Sequence, residues 1–244
     1  MKKAYLIVTI VLAAASIVAE PLAHACDEPL IDVITEPFDG GSNEGNWGFA
    51  CPGSFIDGDG GNPGAFLRMA NLEIFAPMPR TCHAEPSMFR GDYRKEKVFA
   101  LSVDLKTFSV SFTTEERPLT LVLVNHAGTP HDISDDLYVF YVGKDNIPPV
   151  SASAASDGWV RYHFQVRSDS TALPHPRSAA EGQPGWVAAV GEVFAPAEDP
   201  DAVWNTVIRN VDEVIFWWHD PRYFAIFQMW DVGMDNPGIS KCMQ

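Results

Sequence analysis

No Cys-x-x-Cys pair occurs among the four cysteines of this 244-residue chain, so the ligand spacing of a zinc ribbon or finger is missing. Gly-x-Ser-x-Gly, a P-loop and His-Glu-x-x-His are also missing. That removes the common sequence signs of a serine hydrolase, a nucleotide enzyme and a zinc protease. Cations are scarce: 17 lysines and arginines face 32 aspartates and glutamates, for a formal net charge of −15. Nucleic acid is a poor partner for such a surface, because its affinity rests on cationic contacts to phosphate. An acidic surface suits solubility outside the cell and calcium binding. Helical periodicity is rare, and beyond residue 25 no stretch is long and apolar enough to form a transmembrane segment.

The first 25 residues carry their own signal. Lys2 and Lys3 precede an apolar run from Tyr5 to Ala19, and Ala23-His24-Ala25 forms a small-x-small box. That order reads as a secretory signal peptide over residues 1–25, with export to the periplasm, cell surface or medium. Residues 26–244 are then expected as one domain. Loss of Lys2, Lys3 and Glu20 takes the net charge from −15 to −16. Cys26 comes next, but Ala23 and His24 fit a lipobox poorly. An even cysteine count in an exported chain predicts disulfides. Of three possible pairings, Cys51 with Cys82 and Cys26 with Cys242 is preferred, the second tying the chain ends together.

Strand signals dominate the rest of the chain. "VFALSVDL" sets Phe99, Leu101, Val103 and Leu105 against Ala100, Ser102 and Asp104, predicting one buried and one wet face. "WVRYHFQV" alternates in the same way. "LTLVLVN" is apolar on both faces and reads as a central strand, with "LYVFYVG" similar. "DEVIFWWHD" and "YFAIFQMWDVG" are two late strands, with "HDPRY" as a turn between them. One helix is expected in "DPDAVWNTVIRN", with Asp199 as N-cap, Pro200 at the first position and Asn210 at the exit. The pattern predicts an all-β fold, an antiparallel β-sandwich with one short helix.

Several stretches taken together resemble a known family. "EPFDGGSNEGNWGF" is followed by "GGNPGAFLRM", "APM", "MFRGDYRKEKVFALSVDL", a "GW" strand, "WNTVIRNVDEVIF" and the closing "MWDVGMDN". That order is similar to the laminin IV type A (laminin B) family in its bacterial secreted relatives, over about Glu36 to Asn236. The resemblance implies a jelly-roll sandwich like that of many carbohydrate-binding modules, without catalytic activity. The chain departs from the family at "FRGDYRKEK", where charged residues replace the usual "YGG", and in an extended aromatic "FWWHDPRYF" hairpin.

Two stretches carry the candidate site residues. Asp57 and Asp59 in "DGDGGNPG" place carboxylates one residue apart among glycines. Calcium ligation and plain turn chemistry are both open there. The EF-hand pattern fails, since Arg68 stands at the twelfth position. The resemblance adds Asp39 and Asp235, near the two ends of the domain, as possible calcium ligands. In "FWWHDPRYF", strand alternation points Phe216 and Trp218 one way, Trp217 and His219 the other. Trp217, with Tyr223 or Phe224 and with His219 beside it, would offer a sugar ring an aromatic platform. Among the remaining groups, His126 and His131 near Asp132 read as a solvated turn, and Asp135 and Asp136 as an exposed one.

The expected function is therefore secreted, non-catalytic binding of an extracellular glycan or surface protein, with calcium as a candidate cofactor. A glycoside hydrolase or polysaccharide lyase on the same scaffold is the alternative, and a purely structural surface protein is a third. A glycosidase would need two carboxylates facing each other across a cleft.

Overall fold

Alternating and fully apolar segments become strands in the expected places, except that the strand expected in "YFAIFQMWDVG" begins only at Gln228. The strands are β1 Leu30–Thr35, β2 Trp47–Gly48, β3 Phe55–Gly61, β4 Gly64–Ile74, β5 Arg80–Thr81, β6 Val98–Val110 and β7 Pro118–Asn125. They continue as β8 Leu137–Asn146, β9 Val160–Gln165, β10 Gly185–Val190, β11 Ala195–Pro196, β12 Glu213–Trp217 and β13 Gln228–Cys242, with helix α1 at Pro200–Arg209. The computed structural model describes residues 30–49, 54–82, 86–112, 117–152, 157–177, 183–223 and 225–242.

The strands form two antiparallel sheets that share one core, an all-β sandwich. One sheet runs β3-β4-β13-β6-β9, with β1 also paired to β13. The other runs β11-β10-β8-β7-β12-β5-β2. We call them sheet A and sheet B. The long β13 is the axis of sheet A: β6 pairs along one side, while β4 and then β1 pair along the other. Between the sheets lie Leu67, Met69, Leu101, Val103, Leu105, Leu121, Leu123, Phe216, Trp218 and Trp230, all essentially without solvent contact.

β7 shows why a strand can be apolar on both faces. Leu119, Leu121 and Leu123 enter the central core, while Val122 and Val124 belong to a second apolar layer on the outside of sheet B. Phe194 covers that layer, with its ring 4.8 Å from Tyr138 and 5.8 Å from Trp217. The helix forms as its caps dictate: the Asp199 carboxylate accepts the Ala202 N–H at 3.0 Å, and Pro200 occupies the first turn. Its stripe of Val203, Trp204, Val207 and Ile208 is buried in the core, where Trp204 meets Trp186 edge-on at 5.0 Å.

Two local expectations are corrected. The "wet" face of β6 is not wet: Ser102 and Asp104 are 2 % and 3 % exposed. Arg161 on β9 lies across them, donating to Ser102 Oγ at 2.7 Å and pairing with Asp104 at 3.2 Å. "FWWHDPRYF" is not a hairpin either. β12 pairs with β7 and β5 in sheet B, whereas β13 belongs to sheet A. The segment between them crosses from one sheet to the other, because Trp218 is drawn into the core and Asp220 is tied to Arg177.

Cys82 is disulfide-bonded, and its N–H donates to the Asn46 carbonyl at 2.8 Å. Cys26, Cys51 and the Cys242 side chain lie outside the described residues. The backbone register places Leu30 opposite Cys242, which brings the two ends of the described chain together. Non-reducing peptide mapping should recover Cys51–Cys82 and Cys26–Cys242 peptides. A Cys51–Cys242 peptide would contradict that pairing.

Candidate functional site

The outside of sheet B is built around the end of β12. Alternation sends Phe216 and Trp218 into the core and leaves Trp217 half-buried on the outer face, against Phe194. Beyond β12 the chain turns at residues 220–223, closed by the Tyr223 N–H donating to the Asp220 carbonyl at 3.1 Å. His219 Nε2 lies 3.0 Å from the Tyr223 carbonyl, so the turn folds back over β12. The result is an open cleft of about 210 Å³ lined by Trp217, His219, Tyr223, Phe75 and Pro221. Trp217, His219 and Tyr223, grouped as one candidate platform from the sequence, line this one cavity. Tyr223 is 56 % exposed. Phe227 packs at a tilt against Phe75, with ring centroids 3.8 Å apart, and extends the apolar rim. Phe224 lies outside the described residues.

Asp220 fixes this turn. Its side chain is nearly inaccessible, and its carboxylate accepts from Arg177 Nη1 at 2.7 Å and from Arg222 Nε and Nη2 at 3.0 and 2.7 Å. Burial lifts its pKa above the ordinary carboxylate value, and the Arg177 charge opposes the lift.

The outside of sheet A carries a second cavity, of about 470 Å³, lined by Asp57, Asp59, Phe66, Arg68, Phe108 and Asp231 among others. Arg68 stands at its centre, 4.8 Å from the Phe108 ring. Asp231 accepts from Arg68 Nε and Nη2 at 2.9 and 2.8 Å, and Asp57 from Nη1 at 2.8 Å. These bonds hold the guanidinium pKa well above its usual value, the Asp231 hydrogen bond most strongly, against an opposing effect of burial. Trp159 packs edge-on against Phe66 at 5.3 Å. Gly233 makes room for it, since a Cβ there would come within 2.8 Å of the Trp159 ring. With three of its nitrogens committed to carboxylates, Arg68 works as an internal staple across β3, β4 and β13.

The four acids considered for calcium separate into two pairs. Asp57 and Asp59 belong to the Arg68 cavity. Asp39 and Asp235 flank the β3–β4 turn, where Asp235 accepts the Asn62 and Asn236 N–H groups at 2.6 and 2.8 Å. The neighbouring Asp104 is held by Arg161, Asn62 and Asn236. Beyond the effect of burial, Asp104 and Asp39 lie near enough to Asp235 for their charges to raise its pKa. Among the described residues no group of three or more His, Cys, Asp or Glu side chains could hold a metal. Turn chemistry accounts for the glycine run: Gly61 pairs with Gly64 across Asn62–Pro63, and Gly64 has φ +86° with the Asp39 carboxylate directly against it.

The histidine expected in a solvated turn is instead buried. His126 is 6 % exposed and Asp136 1 %. His126 Nδ1 lies 2.9 Å from Asp136 Oδ1, and Nε2 lies 3.6 Å from Glu213 Oε2. Tyr138 donates to the other Asp136 oxygen at 2.9 Å. β7, β8 and β12 place these groups side by side at one end of sheet B, so sequence separation hid the cluster. Burial lowers the His126 pKa, but the bonds to Glu213 and Asp136 outweigh it and hold the pKa above the ordinary value.

A pH dependence arises from His126 and Asp235 together. Burial pushes the Asp235 pKa up to about 7, with Asp104 and Asp39 reinforcing it and the two backbone N–H groups opposing it. An unfolded aspartate titrates near 3.9. Between about pH 4 and 7 the folded chain thus keeps a proton that the unfolded chain has released, and stability falls as pH rises. His126 acts in the same direction. Its contribution is complete below the unfolded value near 6.5 and is lost as pH rises through the higher folded value. Urea unfolding at pH 5 and pH 8 should show a loss of roughly 2–4 kcal/mol at the higher pH. A flat profile, or one rising toward pH 8, would contradict these placements.

Sequence reasoning missed Arg68, Asp231, Phe108 and Trp159. The available sign was a lone arginine inside the apolar "AFLRMA" of β4. It also missed Arg117 and Lys144, which line a groove beside the aromatic cleft. No helix among the described residues is long and apolar enough to cross a membrane. Searches against protein-family models and curated proteins returned no match.

Proposed function

We propose that this protein is a secreted, non-catalytic binding module whose ligand is a carbohydrate, held in the cleft of Trp217, His219 and Tyr223. One observation carries the reading: an exposed Tyr223 ring and a half-buried Trp217 line the same open, mostly apolar cleft. A sugar ring presents an apolar face to an aromatic side chain and its hydroxyls to polar groups at the edge. His219 and the tyrosine hydroxyl supply such groups here. Trp217 ends strand β12, and the turn that carries Tyr223 is tied down by the Asp220 carboxylate, which lowers the ordering cost of binding.

The signal-peptide pattern of residues 1–25, the disulfide at Cys82 and the resemblance in motif order to laminin-B-like domains support an extracellular setting. The buried His126 cluster gives the hydrolase reading no support, because its imidazole is closed off between two carboxylates. Calcium has no part in the proposed contact.

A glycan array, run with and without calcium, tests the proposal. At least one class of glycan should bind, and a chelator should leave that binding unchanged. An array with no bound glycan in either condition would overturn it.

A further inference from the structure

The aromatic cleft does not end at Tyr223. His219 and Tyr223 also form one wall of a larger groove of about 660 Å³. Its other walls carry Arg117, Lys144, Arg177 and Asp220. Arg177 and Asp220 neutralise each other at 2.7 Å. Arg117 and Lys144 are different. Among the described residues neither forms an ion pair with a carboxylate, and Arg117 Nη1 is buried without a hydrogen-bond partner. The guanidinium of Arg117 is held over the Trp230 ring at 5.8 Å, which fixes it at the groove wall instead of leaving it free in solvent. Asn146 lines the same groove, adding a neutral donor and acceptor.

This arrangement is unusual for the chain as a whole. A protein with a formal charge of −15 repels anions over most of its surface. Two cations without a salt bridge among the described residues create a local exception in this groove, directly beside an aromatic surface. Charge complementarity of this kind selects partners more strongly than it adds affinity. The arginine offers a planar fork suited to carboxylate or sulfate, and the lysine a mobile point charge.

We infer that the glycan bound in the aromatic cleft is anionic, with a carboxylate or sulfate seated between Arg117 and Lys144 while a ring lies against Tyr223. The inference rests on the carbohydrate reading above and specifies its ligand class. The two anionic groups share one chemistry here; uronate and sulfate esters are its two sources.

The test uses an array that carries neutral, uronate-containing and sulfated oligosaccharides, followed by titration of the strongest binder. Wild-type protein should select anionic spots, and the uronate and sulfated sets show which source is used. Binding should weaken when salt is raised from about 0.05 M to about 0.5 M, since screening shortens the reach of both charges. Lys144→Gln and Arg117→Gln should each weaken binding roughly tenfold, the loss of one charge-assisted hydrogen bond. Lys144 is exposed, so Lys144→Gln should melt like wild type and keeps the test valid if Arg117→Gln folds poorly. An anionic ligand whose affinity ignores both salt and Lys144→Gln would overturn the inference. Selection of neutral glycans alone, lost in Tyr223→Ala, would overturn it as well and leave the carbohydrate reading standing. An array with no bound glycan would overturn both.

Discussion

Asp220→Ala should cost the fold about 3–5 kcal/mol, the penalty for stranding a buried charge. The Asp220 side chain is 3 % exposed and that of Arg177 9 %. Removing the carboxylate leaves the Arg177 guanidinium buried, with the Gln183 carbonyl as its remaining hydrogen-bond partner among the described residues. Arg222 also binds Asp220, but its side chain is one-third exposed. Arg222→Ala should therefore cost no more than about 1 kcal/mol, as exposed ion pairs do. Urea denaturation of the two variants separates the cases. Equal losses, or a loss below about 1 kcal/mol for Asp220→Ala, would contradict the assignment of Asp220 as the anchor of the turn. Because that turn carries Tyr223, glycan binding should fall in Asp220→Ala even under conditions where most of the protein stays folded.

Trp218→Ala should cost about 3–5 kcal/mol, and Trp217→Ala only about 1–2 kcal/mol. The two residues are neighbours of identical composition, so burial alone sets the difference. Trp218 is fully buried and meets Phe49 at 6.2 Å across the core. Trp217 loses contact with Phe194 and part of the outer layer when truncated, but its cleft-facing side is already open. Thermal melts followed by circular dichroism measure both. A larger loss for Trp217 than for Trp218 would mean that the strand faces are reversed. Trp217→Ala should also weaken glycan binding, whereas a Trp218 variant that remains folded should retain it.

The fold was largely legible because its signals are local. Alternation in "WVRYHFQV" placed Tyr162 and Phe164 inside and Arg161 and His163 outside, as observed. Asp199 and Pro200 marked the helix start for the reason they form it: one caps an orphan N–H and the other needs none. The failures concern what lies on top of a strand. Ser102 and Asp104 look like solvent-facing residues until Arg161 and the β3–β4 turn are packed over them. Alternation reports the two faces of a sheet but not what covers them. The same limit hid the His126–Asp136–Glu213 cluster, which forms from three strands, and the Arg68 staple, which joins residues 57, 68 and 231.

The aromatic segment lies between these cases. Its density of rings was visible, and so was the opposite facing of Trp217 and Trp218. The crossing from sheet B to sheet A was not, because "HDPRY" is equally good turn chemistry for a hairpin. Only the pairing of β12 with β7 and of β13 with β4 and β6 separates the two. Arg117 and Lys144 give no local sign at all. They come together through the β7–β8 ladder, where Pro118 pairs with Asn146.

The most direct measurement of the central claim is a calorimetric titration of Tyr223→Ala with a glycan that the wild-type protein binds. Tyr223 is exposed and makes little of the core, so the variant should melt within a few degrees of wild type, as surface substitutions do. Its binding heat should disappear. Undiminished binding by a normally folded Tyr223→Ala protein would contradict the account and move the ligand away from this cleft.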